Sequence, residues 1–183
     1  MNRFILICIA LTIFACNESY TPKPSGYPRI DFPEKSTFLA QSHCPFSFEQ
    51  PVYTSLNFHD ENKFWFDLKF ESLSGTLHMS YKSLNNDLYN FTEDSRDLAY
   101  KHAQKAEAIS EQQFINDSLG VYGTVYYFQG NTATPLQFFL TDSTHHFVRG
   151  ALYFNTSVND SIIPISNFIK DDIYAIIESW EWE

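Results

Sequence analysis

Alternation of apolar residues in the middle of the chain constrains its fold more than any other feature. In 64–70 (FWFDLKF), Phe64, Phe66, Leu68 and Phe70 fall on one face of an extended strand, and Trp65, Asp67 and Lys69 on the other. In 51–58, Val52, Thr54, Leu56 and Phe58 share a face, and in 75–81 Leu77, Met79 and Tyr81 do. The connections 59–63 and 71–74 are short and polar, as antiparallel hairpins require. Four further strands are expected, at 111–116, 121–128, 135–141 and 146–154. In the last of these, Val148, Gly150, Leu152 and Phe154 oppose Phe147, Arg149, Ala151 and Tyr153.

Two segments follow a helical period instead. Over 92–109, Ser95, Leu98, Ala99, His102, Ala106 and Ile109 recur three or four apart behind Thr92, an expected N-cap, and the alanines predict close approach to a sheet. Over 164–180, Ile165, Phe168, Ile169, Ile173, Ile176, Ile177 and Trp180 form the stripe, with Asp171, Asp172 and Glu178 predicted to face solvent. The order βββαββββα is an α+β domain, an antiparallel β-sheet with two amphipathic helices packed on it.

The domain spans 51–183, and two other segments precede it. Residues 1–15 read as a signal peptide: Arg3, then a 12-residue apolar stretch from Phe4 to Ala15, too short to span a bilayer. Ile13-Phe14-Ala15-Cys16 has the form of a bacterial lipobox, so Cys16 is the expected lipidation site and the first residue of the mature chain. Residues 16–50 form a proline-rich tether and lead-in, with Pro22, Pro24, Pro28, Pro33 and Pro45 forbidding regular helix. Cys8 leaves with the signal and Cys16 carries lipid, so Cys44 is the remaining thiol, and its apolar setting predicts burial.

Charge and motif content narrow the function. With 12 Lys and Arg against 22 Asp and Glu, the net charge is −10, which argues against nucleic acid as a partner and against a polybasic membrane surface. None of the six glycines stands at phosphate-loop or dinucleotide spacing, and no zinc signature is present. His145 and His146 with Asp142 have metal-ligand chemistry, but neighbours on a strand point to opposite faces, so a polar turn is expected instead. His43 beside Cys44 is a thiol–base pair without the convergence from separate segments that catalysis uses. Asp67 and Glu71 read as a solvated pair alongside Lys69, and His102 as a packed stripe residue. No catalytic residue, metal or cofactor is expected. The 18 Phe, 11 Tyr and 3 Trp exceed what one small core needs, leaving two alternatives. Either both sheet faces are covered internally, or an aromatic patch remains for a partner.

Several long strings carry a resemblance. Cys16, Tyr20–Pro33 (YTPKPSGYPRIDFP), Cys44–Glu49 (CPFSFE), Pro51–Tyr53, Gly130-Asn131, Gln137–Ser143 (QFFLTDS), Phe147–Phe154 (FVRGALYF) and the tail through Asp160-Ser161, Pro164, Asp172-Ile173 and Trp180 resemble the gliding motility lipoprotein GldD family of Bacteroidetes. The resemblance implies a membrane-anchored accessory protein of gliding motility and type IX secretion, without known enzyme activity, whose partners are proteins of that machinery. The architecture is similar to PsbP/Mog1-like domains at fold level. Asp117-Ser118-Leu119, Asp142-Ser143-Thr144 and Asp160-Ser161-Ile162 resemble the O-glycosylation sequon of exported proteins in these bacteria, which makes Ser118, Ser143 and Ser161 candidate modification sites; plain turn chemistry explains the same strings. Asn17-Glu18-Ser19 lacks the acidic pair of surface-exported lipoproteins, so a periplasm-facing domain on the inner or outer membrane is expected. A binding protein for a small molecule or envelope glycan, with a pocket between sheet and helices, is the other reading.

Overall fold

The computed structural model describes residues 29–40, 44–60, 64–102, 106–130, 132–155 and 162–183. Within 31–183 the centre is a seven-stranded sheet, antiparallel throughout. Its order is β4 (Ser55–Asp60), β5 (Trp65–Phe70), β6 (Gly75–Ser83), β10 (His146–Phe154), β9 (Leu136–Thr141), β8 (Val121–Gln129) and β7 (Ala108–Asn116). The first three strands form a meander. Helix α1 (Leu88–His102) then carries the chain to the far edge, and β7 to β10 meander back until β10 lies beside β6.

The alternation read from the sequence sets the two faces. Antiparallel register places Phe66, Met79, Gly150, Phe138 and Val125 in one row on the inner face. Gly150 is required there: a Cβ would stand 2.4 Å from the Phe138 ring and 2.9 Å from Met79 Sδ. Helix α2 (Ile162–Glu178) buries Ile169, Ile173, Ile176 and Ile177 against this face. Helix α1 packs on the opposite face, where Ala99, fully buried, meets Tyr126, Phe128, Phe139 and Phe147. Neighbouring rings such as Phe138 and Phe139 thus enter different clusters. Internal coverage of both faces, one of the two alternatives open from the sequence, therefore absorbs most of the aromatic excess.

Helix α1 begins earlier than its periodicity predicts. The Asp87 carbonyl accepts from the Asn90 and Phe91 N–H groups at 3.0 and 3.3 Å, so the helix is under way before Thr92, whose hydroxyl donates to Tyr89 O instead. At its other end Ile109, expected on the helix stripe, lies in β7 opposite Phe128. The 51–58 stretch also divides. Pro51 closes β3 (Glu49–Pro51), and β4 starts only at Ser55.

The lead-in is part of the folded unit. β1 (Thr37–Leu39) pairs with β3, and β2 (Phe46–Ser47) pairs with β11 (Glu181–Trp182) at the end of the chain. Phe46 and Phe48 stack on Trp180 at 4.6 and 5.1 Å between centroids. Cys44 is buried in the same core, as its sequence context predicts.

Asp172 corrects a sequence expectation. It is buried at 4% exposure, not solvent-facing. The Tyr53 hydroxyl donates to Oδ2, and Lys35 Nζ lies 3.2 Å from Oδ1. Lys35 also donates to Phe168 O at 3.2 Å, while Phe32 stacks on the Phe168 ring at 4.5 Å. A carboxylate on the helix thus fastens the lead-in. Burial raises its pKa, although the Tyr53 and Lys35 hydrogen bonds pull the other way.

Candidate interaction site on the outer sheet face

Helix α1 covers only part of the outer face. Register sets one row across all seven strands: Asn57, Asp67, His78, Ala151, Gln137, Tyr126 and Glu111. Residues two apart on a strand share a face, so Arg149 and Tyr153 flank Ala151 along β10. The small Ala151 leaves room for its neighbours: the His78 and Tyr153 rings lie 5.5 Å apart, and Arg149 Nη2 donates to Gln137 Oε1.

Asp67 anchors one end of this row. His59 Nε2 lies 2.7 Å from its Oδ2 and His78 Nδ1 2.6 Å from its Oδ1. Asp67 is on the face that alternation assigned, but it is buried by these two imidazoles and is not part of a solvated pair. Glu71, its proposed partner, accepts from Ser55 Oγ at 3.0 Å instead.

Arg149 is the centre of the row's other half. Desolvation lowers its pKa while the nearby Tyr153 and Tyr126 oppose the shift; a guanidinium stays protonated regardless. No carboxylate forms an ion pair with it among the described residues. Gln137 is 1% exposed, and among the described residues its buried Nε2 has no acceptor. Burial pushes the Tyr126 hydroxyl up to about 12, Glu111 adding to the shift and Arg96 of α1 opposing it. The sequence signal for this cluster was present: Arg149 is the lone charge in FVRGALYF, and Gln137 the lone amide in PLQFFL.

The other candidate residues have different occupations. Asp142 caps a turn: its Oδ1 accepts from the N–H groups of Thr144, His145 and His146 at 3.0, 2.8 and 2.7 Å. Partial burial pushes its carboxyl up, but these bonds and the Thr144 hydroxyl outweigh that and hold it well below the usual range. His145 is exposed. The His146 ring stacks on Trp182 at 5.3 Å with its Nδ1 2.8 Å from the Tyr81 hydroxyl. Among the described residues, no three His, Cys, Asp or Glu side chains are grouped to hold a metal ion.

Ser118 is exposed in the turn between β7 and β8 and donates to Asn116 Oδ1 at 2.6 Å. Ser143 is exposed at φ 72°, in the turn that Asp142 caps. Cys16, His43, Ser161, Asn131 and the His102 side chain lie outside the described residues. No helix among the described residues is long and apolar enough to cross a membrane.

The fold and this polar row define an α+β domain built on an antiparallel sheet, with a helix on either face and charged groups on the part of one face that its helix leaves open. The chain belongs to the gliding motility lipoprotein GldD family, whose model matches residues 17–182. Comparison with curated proteins finds no match.

Proposed function

We propose that this protein is a membrane-anchored, non-catalytic accessory lipoprotein that supports assembly or stability of the gliding and type IX secretion machinery through protein–protein contacts. Family membership carries the reading. The lipobox at Cys16 supplies the anchor, and the tether that follows sets the reach of a periplasm-facing domain. Holding a domain near a partner in the same membrane raises its effective concentration without any added contact.

The occupations of the candidate groups support a non-catalytic role. Asp142 is committed to a turn, Asp67 to two imidazoles, and Cys44 to the core. Apolar contact surface remains at Phe38 and Leu39 of β1, 47% and 61% exposed, at Val52 just after β3, 52% exposed, and at Trp65. The exposed hydroxyls of Ser118 and Ser143 suit O-glycosylation. The fold-level likeness to PsbP/Mog1-like domains is supported by the central antiparallel sheet and the helix near the chain end.

Two measurements test the proposal. A Cys16→Ala chain is expected to leave the membrane fraction and to fail in restoring gliding to cells lacking the protein; a soluble variant that restores full gliding refutes the anchored role. Photocrosslinking from positions 38 and 65 in intact cells is expected to capture machinery proteins. Turnover of a substrate by the purified protein would overturn the non-catalytic role.

A further inference from the structure

The middle of the outer face differs in charge from the molecule as a whole, with Glu111 of β7 at the far edge of the same row accepting from the Tyr100 hydroxyl. On this face strands β5, β6, β9 and β10 present three permanent cations, Lys69, Lys82 and Arg149, and one carboxylate, Asp67. The chain as a whole has a net charge of −10. Asp67 is already engaged by His59 and His78. The local excess is therefore one of donors. Arg149 uses one N–H on Gln137, and the Gln137 amide nitrogen, shut off from solvent, has no acceptor among the described residues. Such orphan donors are costly, and a buried one beside a guanidinium calls for an acceptor.

We propose that Arg149, held by Gln137, forms a binding site for a small soluble oxyanion, a carboxylate or phosphate. The guanidinium offers two parallel N–H groups to such a ligand, the geometry in which arginine binds oxyanions most strongly. Gln137 is a positioning residue: its Oε1 accepts from Arg149 Nη2 and fixes the guanidinium plane. Lys82 stands diagonally across from Arg149, because Ser80 is the β6 residue opposite it. Its ammonium lies over the Trp65 ring of β5, 5.1 Å from the centroid, and would have to leave that ring to meet an anion held by Arg149.

The test uses the full lipoprotein in nonionic detergent. Thermal unfolding is followed against sodium phosphate and sodium acetate, with sodium chloride holding ionic strength constant. The parent protein is expected to show a saturable rise in its midpoint. Arg149→Gln is expected to weaken this by about tenfold or more, and Lys82→Gln by less. Lys101→Gln, an exposed cation of α1, is expected to leave it unchanged. Gln137→Glu is the decisive variant. It gives Arg149 an internal carboxylate, so it is expected to stay folded and to lose the response. It also carries the test if Arg149→Gln does not fold. A parent protein without a saturable response, or a Gln137→Glu protein that responds like the parent, overturns the proposal.

Discussion

Truncating Trp180 tests how the two ends of the domain are joined. The indole is fully buried, with Phe46 and Phe48 of the lead-in stacked on it and Trp182 edge-on at 5.6 Å. Trp180→Ala removes this contact and leaves a cavity, for which large-to-small core substitutions cost about 3–5 kcal/mol. With a urea slope near 2 kcal/mol per molar, the unfolding midpoint falls by about 1.5–2.5 M. Trp180→Phe separates volume from hydrogen bonding. Among the described residues the buried Trp180 Nε1 has no partner, so phenylalanine loses no hydrogen bond and relieves an orphan donor worth about 1–3 kcal/mol. The smaller ring leaves a gap of a few tens of Å3, costing about 1 kcal/mol at ~24 cal/mol per Å3. The two effects offset, and Trp180→Phe is expected within about 1 kcal/mol of the parent or slightly above it. Far-UV circular dichroism in urea is the assay, because the substitutions alter indole fluorescence. A Phe variant as unstable as the Ala variant would refute the reasoning, since the indole N–H would then have a partner. An Ala variant within about 1 kcal/mol of the parent would show that the lead-in does not depend on this ring.

Two further outcomes follow from the structure. Gly123→Ala places a Cβ 2.1 Å from Phe139 O in the adjoining strand, so β8 and β9 must separate; a loss of about 1–3 kcal/mol in the same urea assay is expected, and an unchanged midpoint counts against the close pairing. Asp142 has a depressed folded pKa, so its contribution is present above the unfolded value, near 3.9, and is lost as pH falls through that value toward the folded one. Urea midpoints measured across that acid range should therefore fall less steeply for Asp142→Asn than for the parent, and equal slopes would contradict the turn-cap assignment.

Much of the sheet was legible because its residues carry a local period. Phe64, Phe66, Leu68 and Phe70 alternate, and β5 buries Phe66, Leu68 and Phe70, with Phe64 packed just ahead of it. The stripe of α2 was legible for the same reason, since its isoleucines repeat at helical spacing. Edges were less so. Ile109 fits a helix stripe as well as a strand, and only its partner Phe128 selects the strand. The polar residues misled more. Asp172 and Asp67 have the composition of solvated positions, and nothing nearby in sequence reveals that Tyr53 and Lys35 cover one and His59 and His78 the other.

The sequence by itself determined which faces of strands and helices are apolar, where the turns fall and which chemical groups are available, because those are properties of neighbours a few residues apart. The tertiary structure alone decided that the lead-in closes the core and that Gln137 and Arg149 meet over Ala151. Those outcomes depend on pairings between distant segments, β2 with β11 and β9 with β10, whose register no local periodicity encodes.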